Sequence, residues 1–263
     1  KLSIEVNETA SNKITPSDND RIRLIVTAED EHGFISHTAP ITAIFDNKGP
    51  TITLDGHNKQ NFYAPGYIFD FSITDIGNDS IEVGSVKYWE YQGVPDGVGT
   101  TPTGTQIVTT VKDDFNLKIE AKDVRGNLSN TIFDVKVDST PPAGTLAINY
   151  PNGDLIPENE VISKQGALSL ALNVDDPESG VSRIEAILKR GDEAEGSNLT
   201  FVQDSQDPTL WTTLLTLESD GNYSIDINVY NATKTNSGQA SQSTRIFRTV
   251  VVKRGGYQLS VTE

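Results

Sequence analysis

A polar block occurs twice in the chain, and each copy leads through a short apolar run to an aspartate and a proline. Residues 28–36 read AEDEHGFIS, and residues 121–129, about 93 positions further on, read AKDVRGNLS. The first copy is followed by Asp46 and the segment NKGP, the second by Asp138 and the segment STPP. A block that recurs at a fixed distance indicates a repeated structural unit, and the proline-containing segment after it predicts a domain boundary.

Apolar and polar side chains alternate along three stretches of the chain, and no long helical periodicity accompanies them. Alternation with a period of two places one face of a strand on a core and the other face in water. The apolar members of the three stretches are Ile22, Leu24, Val26 and Ala28; Phe115, Leu117, Ile119 and Ala121; and Tyr223, Ile225, Ile227 and Val229. The pattern predicts an all-β protein.

Short strand-like segments follow one another closely in the middle and last parts of the chain. This density of short strands, with turn residues between them, is typical of antiparallel β-sandwiches. The predicted strands are residues 51–54, 67–74, 86–91, 105–111, 115–122 and 131–137 in the middle part, and residues 145–148, 168–174, 181–189, 211–217, 223–230 and 246–252 in the last part.

The boundaries divide the chain into four predicted parts. Residues 47–138 are expected to form one complete sandwich, and residues 139–253 a second one with longer loops. Residues 1–46 would be the C-terminal strands of an incomplete domain. Either the upstream strands of that domain are missing, or the fragment pairs its edges with something else. Residues 254–263 are expected to be a tail or, through residues 257–261, the first strand of a following unit.

The composition limits the chemistry and the partners of the chain. Cysteine is absent, which excludes disulfides and thiol chemistry. A formal net charge of −16 argues against nucleic acid and anionic membrane surfaces as partners. No apolar run approaches the ~20 residues that a membrane span requires, and no signal peptide is present. Because methionine is also absent, we expect the sequence to be a segment of a longer polypeptide.

The repeated block resembles the end of tandem bacterial immunoglobulin-like domains, which occur in large surface adhesins and other exported repeat proteins. The residues that match are Asp123, Gly126, Asn127, Ser129, Val137, Asp138, Thr140 and Pro141, and residues 176–181 (DPESGV) resemble a loop of the same family. The chain departs from the pattern at residues 47–50 and at residues 231–233 (NAT), where an aspartate and a glycine are expected. The resemblance implies tandem immunoglobulin-like antiparallel β-sandwiches at a bacterial cell surface or outside the cell, and it implies no particular activity.

Aspartates gather near each predicted boundary. In such a sandwich the loops after the second and the sixth strands lie at the end where the chain enters. We therefore expect one cluster of Asp46, Asp75, Asp79 and Asp123, and another of Asp138, Asp175, Asp176, Glu178 and Asn231. Crowded carboxylates repel one another unless a cation lies among them, and Ca²⁺ takes ~6–8 oxygen ligands in flexible geometry.

Calcium in these clusters would stiffen the joints between neighbouring domains of the chain. The alternative explanation is that the aspartates only form turns, through bonds from their side chains to the backbone. No Asp-x-Asp-x-Asp-Gly loop, the usual calcium motif, is present in the sequence. Both explanations stay open at this point.

Arg190-Gly191-Asp192 follows a predicted strand and matches the integrin-binding tripeptide. An exposed loop with this triplet would be a binding site for a host protein. A match of three residues also arises by chance, and a glycine flanked by charged residues is common in turns.

Two tryptophans are expected in the cores of the sandwiches. Immunoglobulin-like folds often place a tryptophan on the third strand, and Trp89 lies in the strand predicted there. A sugar-stacking platform is the alternative, because Tyr88 and Trp89 must point to opposite faces of the strand. Trp211, near Leu210 and Leu214, is also expected to be a core residue.

No catalytic constellation is recognisable in the sequence. The three histidines show no zinc-binding pattern, and no serine or threonine stands in a nucleophile context beside a histidine. We therefore expect no enzyme activity. The leading hypothesis is a spacer that holds a distal binding domain away from a bacterial cell surface. The alternatives are a module that binds a glycan or a host protein, and an accessory domain of an exported hydrolase.

Overall fold

The computed structural model describes residues 20–75, 80–163, 166–191, 193–237, 239 and 241–255. All regular secondary structure in these ranges is β-structure, which confirms the predicted all-β fold. None of the described residues belongs to a helix that could cross a membrane. The contacts of the chain define two compact units. The first comprises the described residues of Lys1–His57, Ile68–Val108 and Asn116–Asp134, and the second those of Asn58–Tyr67, Thr109–Phe115 and Val135–Glu263.

Twenty strands lie in the described ranges. The first eleven are β1 (Arg21–Leu24), β2 (Thr27–Glu29), β3 (Ile35–His37), β4 (Ile41–Ile44), β5 (Thr51–Leu54), β6 (Phe62–Tyr63), β7 (Ile68–Thr74), β8 (Lys87–Tyr91), β9 (Gln106–Val108), β10 (Phe115–Lys122) and β11 (Leu128–Val137). The others are β12 (Ala143–Asn149), β13 (Val161–Ile162), β14 (Leu168–Asp175), β15 (Val181–Arg190), β16 (Ser197–Leu199), β17 (Val202–Gln203), β18 (Leu210–Leu215), β19 (Gly221–Asn231) and β20 (Ser243–Val252).

The first unit contains two small two-stranded sheets and most of one sandwich. β1 pairs antiparallel with β4, and β2 pairs antiparallel with β3. In the sandwich, β5, β7 and β9 form one sheet in that order, and β11, β10 and β8 lie side by side in the other. The strand order is that of an immunoglobulin-like fold, in which the first, second and fifth strands share a sheet opposite the third, sixth and seventh.

The core of this sandwich follows from the alternation in the sequence. Along β10, Leu117, Ile119 and Ala121 are completely buried, while the residues between them are half-buried on the opposite face. Completely burying one large aliphatic side chain contributes about 1.5–3 kcal/mol. The other buried apolar residues of the first unit are Ile52, Leu54, Phe69, Phe71 and Ile107.

The second unit contains a larger sandwich. β12, β14, β18 and β17 form one sheet in that order, and β13, β20, β19, β15 and β16 form the other. Its core consists of the inward-facing residues of both sheets, among them Leu170, Leu172, Ile225 and Ile227, each 0% exposed. Within the same unit β6 pairs in parallel with the end of β11, and the main chain of Lys234 hydrogen-bonds Phe62 and Ala64. Tandem immunoglobulin-like β-sandwiches therefore describe the fold.

The predicted strands correspond closely to the observed ones, and β5 and β10 have the predicted bounds. The prediction omitted β6 and β13, which are two-residue strands paired in parallel with β11 and β20, and the short strands β16 and β17. The domain boundaries predicted after residues 46 and 138 imply that each domain folds on its own, and they stay predictions. Residues 257–261 lie outside the described residues.

Trp89 is not the core tryptophan that the sequence predicted. It pairs with Lys118 across β8 and β10, whereas Tyr88 pairs with the buried Ile119. Trp89 is therefore on the outer face of the sheet, where the ammonium group of Lys118 lies 4.5 Å from its ring centroid. The prediction was wrong by one residue, because adjacent strand residues point to opposite faces. Trp211, in contrast, packs against the core of the second unit.

Candidate functional site

Three aspartates meet at one end of the sandwich in the first unit. Asp46 follows β4, Asp75 follows β7 and Asp123 follows β10. One carboxylate oxygen from each lies within 4.8 Å of the others. We call this group the first aspartate site. It contains three of the four residues that the sequence assigned to this cluster, and the fourth, Asp79, lies outside the described residues.

The turn after β10 fixes the carboxylate of Asp123. Its Oδ1 accepts hydrogen bonds from the backbone N–H groups of Arg125 and Asn127, at 2.8 Å and 2.9 Å. Its Oδ2 accepts a third from Nδ2 of Asn127 at 2.8 Å. Burial alone would raise the pKa of Asp123, but the hydrogen bonds from Asn127, Arg125 and Gly126 outweigh it and lower the pKa. The carboxylate is therefore held in place and ionised.

The same turn is present in the first copy of the repeated block. Oδ1 of Asp30 accepts hydrogen bonds from the backbone N–H groups of His32 and Phe34, both at 2.9 Å. Gly33 and Gly126 both have a positive φ, +82° and +98°, a backbone conformation that favours glycine. The repeat in the sequence is thus a repeat of one turn. Asp30 is exposed, whereas Asp123 is completely buried.

Asp46 brings the linker between β4 and β5 to the site. Its side chain is 0% exposed, and Nε of Arg125 lies 3.5 Å from its Oδ2. Nδ2 of Asn127 also donates to the backbone carbonyl of Asp46 at 3.4 Å. Arg125 was not predicted, because no motif in the sequence links it to Asp46. One guanidinium group thus stands beside a site of three carboxylates.

The first aspartate site could bind a metal ion. Its donors are all carboxylate oxygens, which suit hard cations such as Ca²⁺ and Mg²⁺ better than softer transition metals. Carboxylates this close repel one another when ionised, and one arginine offsets only part of that charge.

A second group occupies the corresponding positions of the sandwich in the second unit. In the first sandwich Thr51 pairs with Thr74, the residue before Asp75, and in the second Ala143 pairs with Asp175, the residue before Asp176. The chain enters the two sandwiches from Asp46 and from Asp138, respectively. Asn231 ends β19 as Asp123 follows β10. We call Asp138, Asp176, Asn231 and the neighbouring Glu178 the second aspartate site.

Asp138 is the centre of the second site, and hydrogen bonds from the protein surround it. Its Oδ1 accepts from the backbone N–H and from Oγ1 of Thr140, at 2.9 Å and 3.0 Å. Its Oδ2 accepts from Nδ2 of Asn231 at 3.0 Å and from Oγ of Ser179. Burial alone would raise the pKa of Asp138, but the bonds from Ser179 and Thr140 outweigh it and lower the pKa. Asp138 is 0% exposed and is therefore a buried, satisfied carboxylate.

The two other acids of this site are less well compensated. Oδ1 of Asp176 accepts from the backbone N–H groups of Ser179 and Gly180, while its buried Oδ2 has no hydrogen-bond partner among the described residues. Burial raises the pKa of Asp176, and the charge of Asp138 adds to the effect. A hydrogen bond with Asp138 raises the pKa of Glu178.

The structure thus brings together Asp138, Asp176, Glu178 and Asn231, as the sequence predicted. Asp175, the remaining member of the predicted set, is an exposed residue at the end of β14. Whether either site binds calcium stays a prediction. The sequence did not indicate the donors Ser179 and Thr140, although both lie within three residues of a predicted acid.

The integrin-type triplet is only partly described. Nη2 of Arg190 donates to the backbone carbonyl of Asp220 at 2.8 Å, and Gly191 has a φ of +55°. Asp192 lies outside the described residues, so the binding hypothesis for Arg190-Gly191-Asp192 stays a prediction.

No protein-family model and no curated protein sequence matches this chain. Several solved structures resemble it at low sequence identity. The fibronectin(III)-like modules of CbhA from Clostridium thermocellum are 16% identical, with 81% of this chain and 100% of that one covered and a TM-score of 0.41. The three N-terminal domains of the highly immunogenic outer capsid protein (Hoc) of bacteriophage RB49 are 9% identical, with 94% and 92% covered and a TM-score of 0.45.

A third similar structure is PcdhgB3 EC1-4, which is 14% identical, with 91% of this chain and 66% of that one covered and a TM-score of 0.28. These similarities assign the chain to no family. Its own strand order identifies it as a chain of tandem immunoglobulin-like β-sandwiches.

Proposed function

We propose that the chain is a non-catalytic spacer segment of a bacterial cell-surface adhesin, built from bacterial immunoglobulin-like domains. Its role would be mechanical, namely to hold a distal binding domain away from the cell. In this proposal Ca²⁺ bound by Asp46, Asp75 and Asp123 stiffens the segment that leads into the first sandwich. The observation that supports the proposal most directly is the close approach of three carboxylates next to a domain linker.

The linker itself is short and closely packed. Residues 45–50 join β4 to β5, and Pro50 restricts the backbone there. A Cβ atom on Gly49 would lie 2.6 Å from the carbonyl carbon of Leu128 and 2.7 Å from Oγ of Ser129. The backbone of the linker therefore lies directly against the start of β11. A cation shared by Asp46 of the linker and by Asp75 and Asp123 of the sandwich would restrict the linker further, because bending would break its coordination.

The size of the calcium effect follows from mass action. Extracellular calcium modules commonly bind with a Kd of about 10⁻⁴–10⁻³ M. At 10 mM Ca²⁺ the bound ion would then stabilise the folded state by about 1.4–2.7 kcal/mol. In a domain of about 100 residues this corresponds to a rise in Tm of roughly 5–15 °C.

Calorimetry of the full chain tests the calcium site with a matched pair of variants. Asp123→Asn removes one carboxylate from the site, whereas Asp30→Asn changes the same turn where it is exposed. We expect 10 mM Ca²⁺ to raise the Tm of the wild type and of Asp30→Asn, and to leave that of Asp123→Asn nearly unchanged. A wild-type Tm that is the same in excess calcium and in chelator would refute the calcium part of the proposal.

Solution scattering tests the mechanical part separately. We expect the chain to become more extended and less variable in its dimensions when calcium is added, with no such change in Asp123→Asn. Dimensions typical of freely jointed domains, with or without calcium, would contradict a rigid spacer.

A binding module is the second candidate, and one observation favours it. A cavity of about 590 Å³ lies beside β15 and β16 in the second unit, and Arg183, Glu185 and Trp211 are among its lining residues. The longer loops of this domain contribute to it, and binding residues are commonly found on such loops. An array of glycans and host proteins, probed with the full chain, tests this candidate. Binding that Arg183→Ala abolishes would favour this candidate, whereas silence would favour the spacer.

A further inference from the structure

The two aspartate sites differ at one corresponding position, and the difference changes their chemistry. The first site has Asp123 where the second has Asn231. A carboxylate at this position faces another carboxylate, Asp46, and neither can donate a hydrogen bond when ionised. An amide at the same position can donate, and Nδ2 of Asn231 does donate to Oδ2 of Asp138 at 3.0 Å.

We propose that Asn231 takes the place of a cation, so that the second aspartate site is held together by hydrogen bonds and binds no calcium, in contrast to the first. In this view the residue that follows the sixth strand, aspartate or asparagine, decides whether a site needs a cation. The inference deepens the proposed function and rests on it for the calcium at the first site.

The hydrogen bonds around Asp138 already stabilise the charge of its carboxylate, so a bound cation would add little. An ionised carboxylate offers about four lone-pair sites. Asp138 accepts hydrogen bonds from the N–H and Oγ1 of Thr140, from Oγ of Ser179 and from Nδ2 of Asn231, in addition to its hydrogen bond with Glu178. Charge on such a buried group is stabilised by the donors themselves, as in other buried carboxylates with several hydrogen bonds.

Both polar atoms of the Asn231 side chain also form hydrogen bonds with other groups of the protein. Its Nδ2 donates a second hydrogen bond to the carbonyl of Thr140 at 3.3 Å, and its Oδ1 accepts one from Oγ1 of Thr233 at 2.9 Å. Asn231 and Asp138 are both 0% exposed. To bring Asp138 or Asn231 into contact with a cation, the site would have to break these buried hydrogen bonds, which is costly when the donors are left without partners.

Further hydrogen bonds link the segments around the second site. The N–H of Lys234 donates to the carbonyl of Phe62 at 2.7 Å, and the N–H of Ala64 donates to the carbonyl of Lys234 at 3.0 Å. Nε2 of Gln239 donates to the carbonyl of Pro65 at 2.7 Å. These groups belong to the same compact unit as Asp138 and Asn231. The second site is therefore part of a hydrogen-bonded structure that extends beyond its acids.

The test is the number of calcium ions bound per chain, measured by calorimetric titration of calcium into the full chain. We expect one ion for the wild type, two for Asn231→Asp and none for Asp123→Asn. Asn228→Asp, on the outer face of the same strand β19, is the control for added negative charge and should bind one. Each variant is also melted in chelator, because Asn231→Asp places a buried carboxylate beside Asp138 and its Tm should fall unless calcium is present.

The outcomes separate the inference from the proposed function. Two ions on the wild type, with one remaining on Asp123→Asn, would overturn the inference and leave the spacer with two calcium sites. No ion on the wild type would refute the calcium of the proposed function, and Asn231→Asp would then decide the inference alone. If Asn231→Asp does not fold, Asp123→Asn is the deciding variant. It should bind no calcium, and an ion that remains bound to it would overturn the inference.

Discussion

The two aspartate sites occupy the same place in two sandwiches of one chain, yet they balance their charges differently. In the first site three carboxylates approach one another, and Arg125 is the cation beside them. In the second an asparagine and two hydroxyl groups donate to the central carboxylate. One position of the fold thus holds either three carboxylates close together or a central carboxylate that accepts hydrogen bonds from the protein. At the corresponding position, Asp123 has a carboxylate oxygen that only accepts hydrogen bonds, whereas Asn231 has an amide NH₂ group that donates one to Asp138.

The largest effect is expected when the central carboxylate of the second site is removed. Asp138→Ala leaves Asn231 and Ser179 without their buried acceptor, and each unsatisfied donor costs about 1–3 kcal/mol. We predict that the free energy of unfolding falls by about 2–4 kcal/mol. Urea unfolding of the full chain measures it, and calcium should not restore the loss.

The control for this variant is Asp175→Ala, which removes an exposed carboxylate one residue before Asp176. Surface changes of this kind usually stay within about 0.5 kcal/mol. If Asp138→Ala is as stable as Asp175→Ala, the hydrogen bonds of the second site are not what holds it together, and the contrast between the two sites fails.

A smaller effect is expected at the arginine of the first site. Arg125→Gln removes a positive charge 3.5 Å from Oδ2 of Asp46, which competes with a bound cation. We predict a calcium Kd about threefold lower, since partly exposed ion pairs contribute about 0.2–1 kcal/mol. The Tm in chelator should fall at the same time. Calorimetric titration and melting measure the two effects, and Arg190→Gln, at the exposed end of β15, is the control.

The sign of this effect is the informative part. If Arg125→Gln weakens calcium binding, the guanidinium supports the site rather than competing for it. The charges of the first site would then be balanced by a salt bridge within the protein. The two sites would differ only in which side chains balance the central carboxylates.

The smallest effect is expected from pH. Raised acid pKa values, as for Glu178 and Asp176, contribute stability below the unfolded pKa, and this contribution is lost as pH rises through the folded pKa. Asp138 and Asp123 have lowered pKa values, so their contribution is present at neutral pH and is lost as pH falls through the folded pKa. We predict that Glu178→Gln raises the Tm relative to the wild type at pH 7 and has less effect at pH 4.

Melting at a series of pH values measures this difference, with Glu195→Gln, an exposed residue outside the site, as the control. An equal effect of Glu178→Gln at both pH values would show that the hydrogen bond with Asp138 does not raise the pKa of Glu178. The second site would then be simpler than its hydrogen bonds indicate.

Much of the fold could be predicted from the sequence, because long strands leave a clear alternation. β10 and β19 bury every second residue, so their type, faces and approximate bounds follow from residue order alone. β6 and β13 could not be predicted in this way, since two residues form no pattern and their partners are far along the chain. Trp89 shows the same limit, because its face depends on a register that the sequence indicates only to within one residue.

Most members of the two candidate sites could be predicted from the sequence. The side chains that compensate the charges of their carboxylates could not. Knowing which loops share one end of a sandwich was enough to group Asp46 with Asp75 and Asp123. The position of Arg125 beside Asp46, and the hydrogen bonds from Ser179 to Asp138, depend on side-chain conformations that form only in the folded protein. The departure from the repeat at Asn231 was visible in the sequence. Its meaning required the hydrogen bond to Asp138.

Native mass spectrometry of the full wild-type chain in millimolar calcium tests the contrast between the two sites most directly. We predict a single specifically bound Ca²⁺ per chain, which disappears in Asp123→Asn. Two bound ions, or none, would contradict a chain in which one aspartate site binds a cation and the other is satisfied by its own hydrogen bonds.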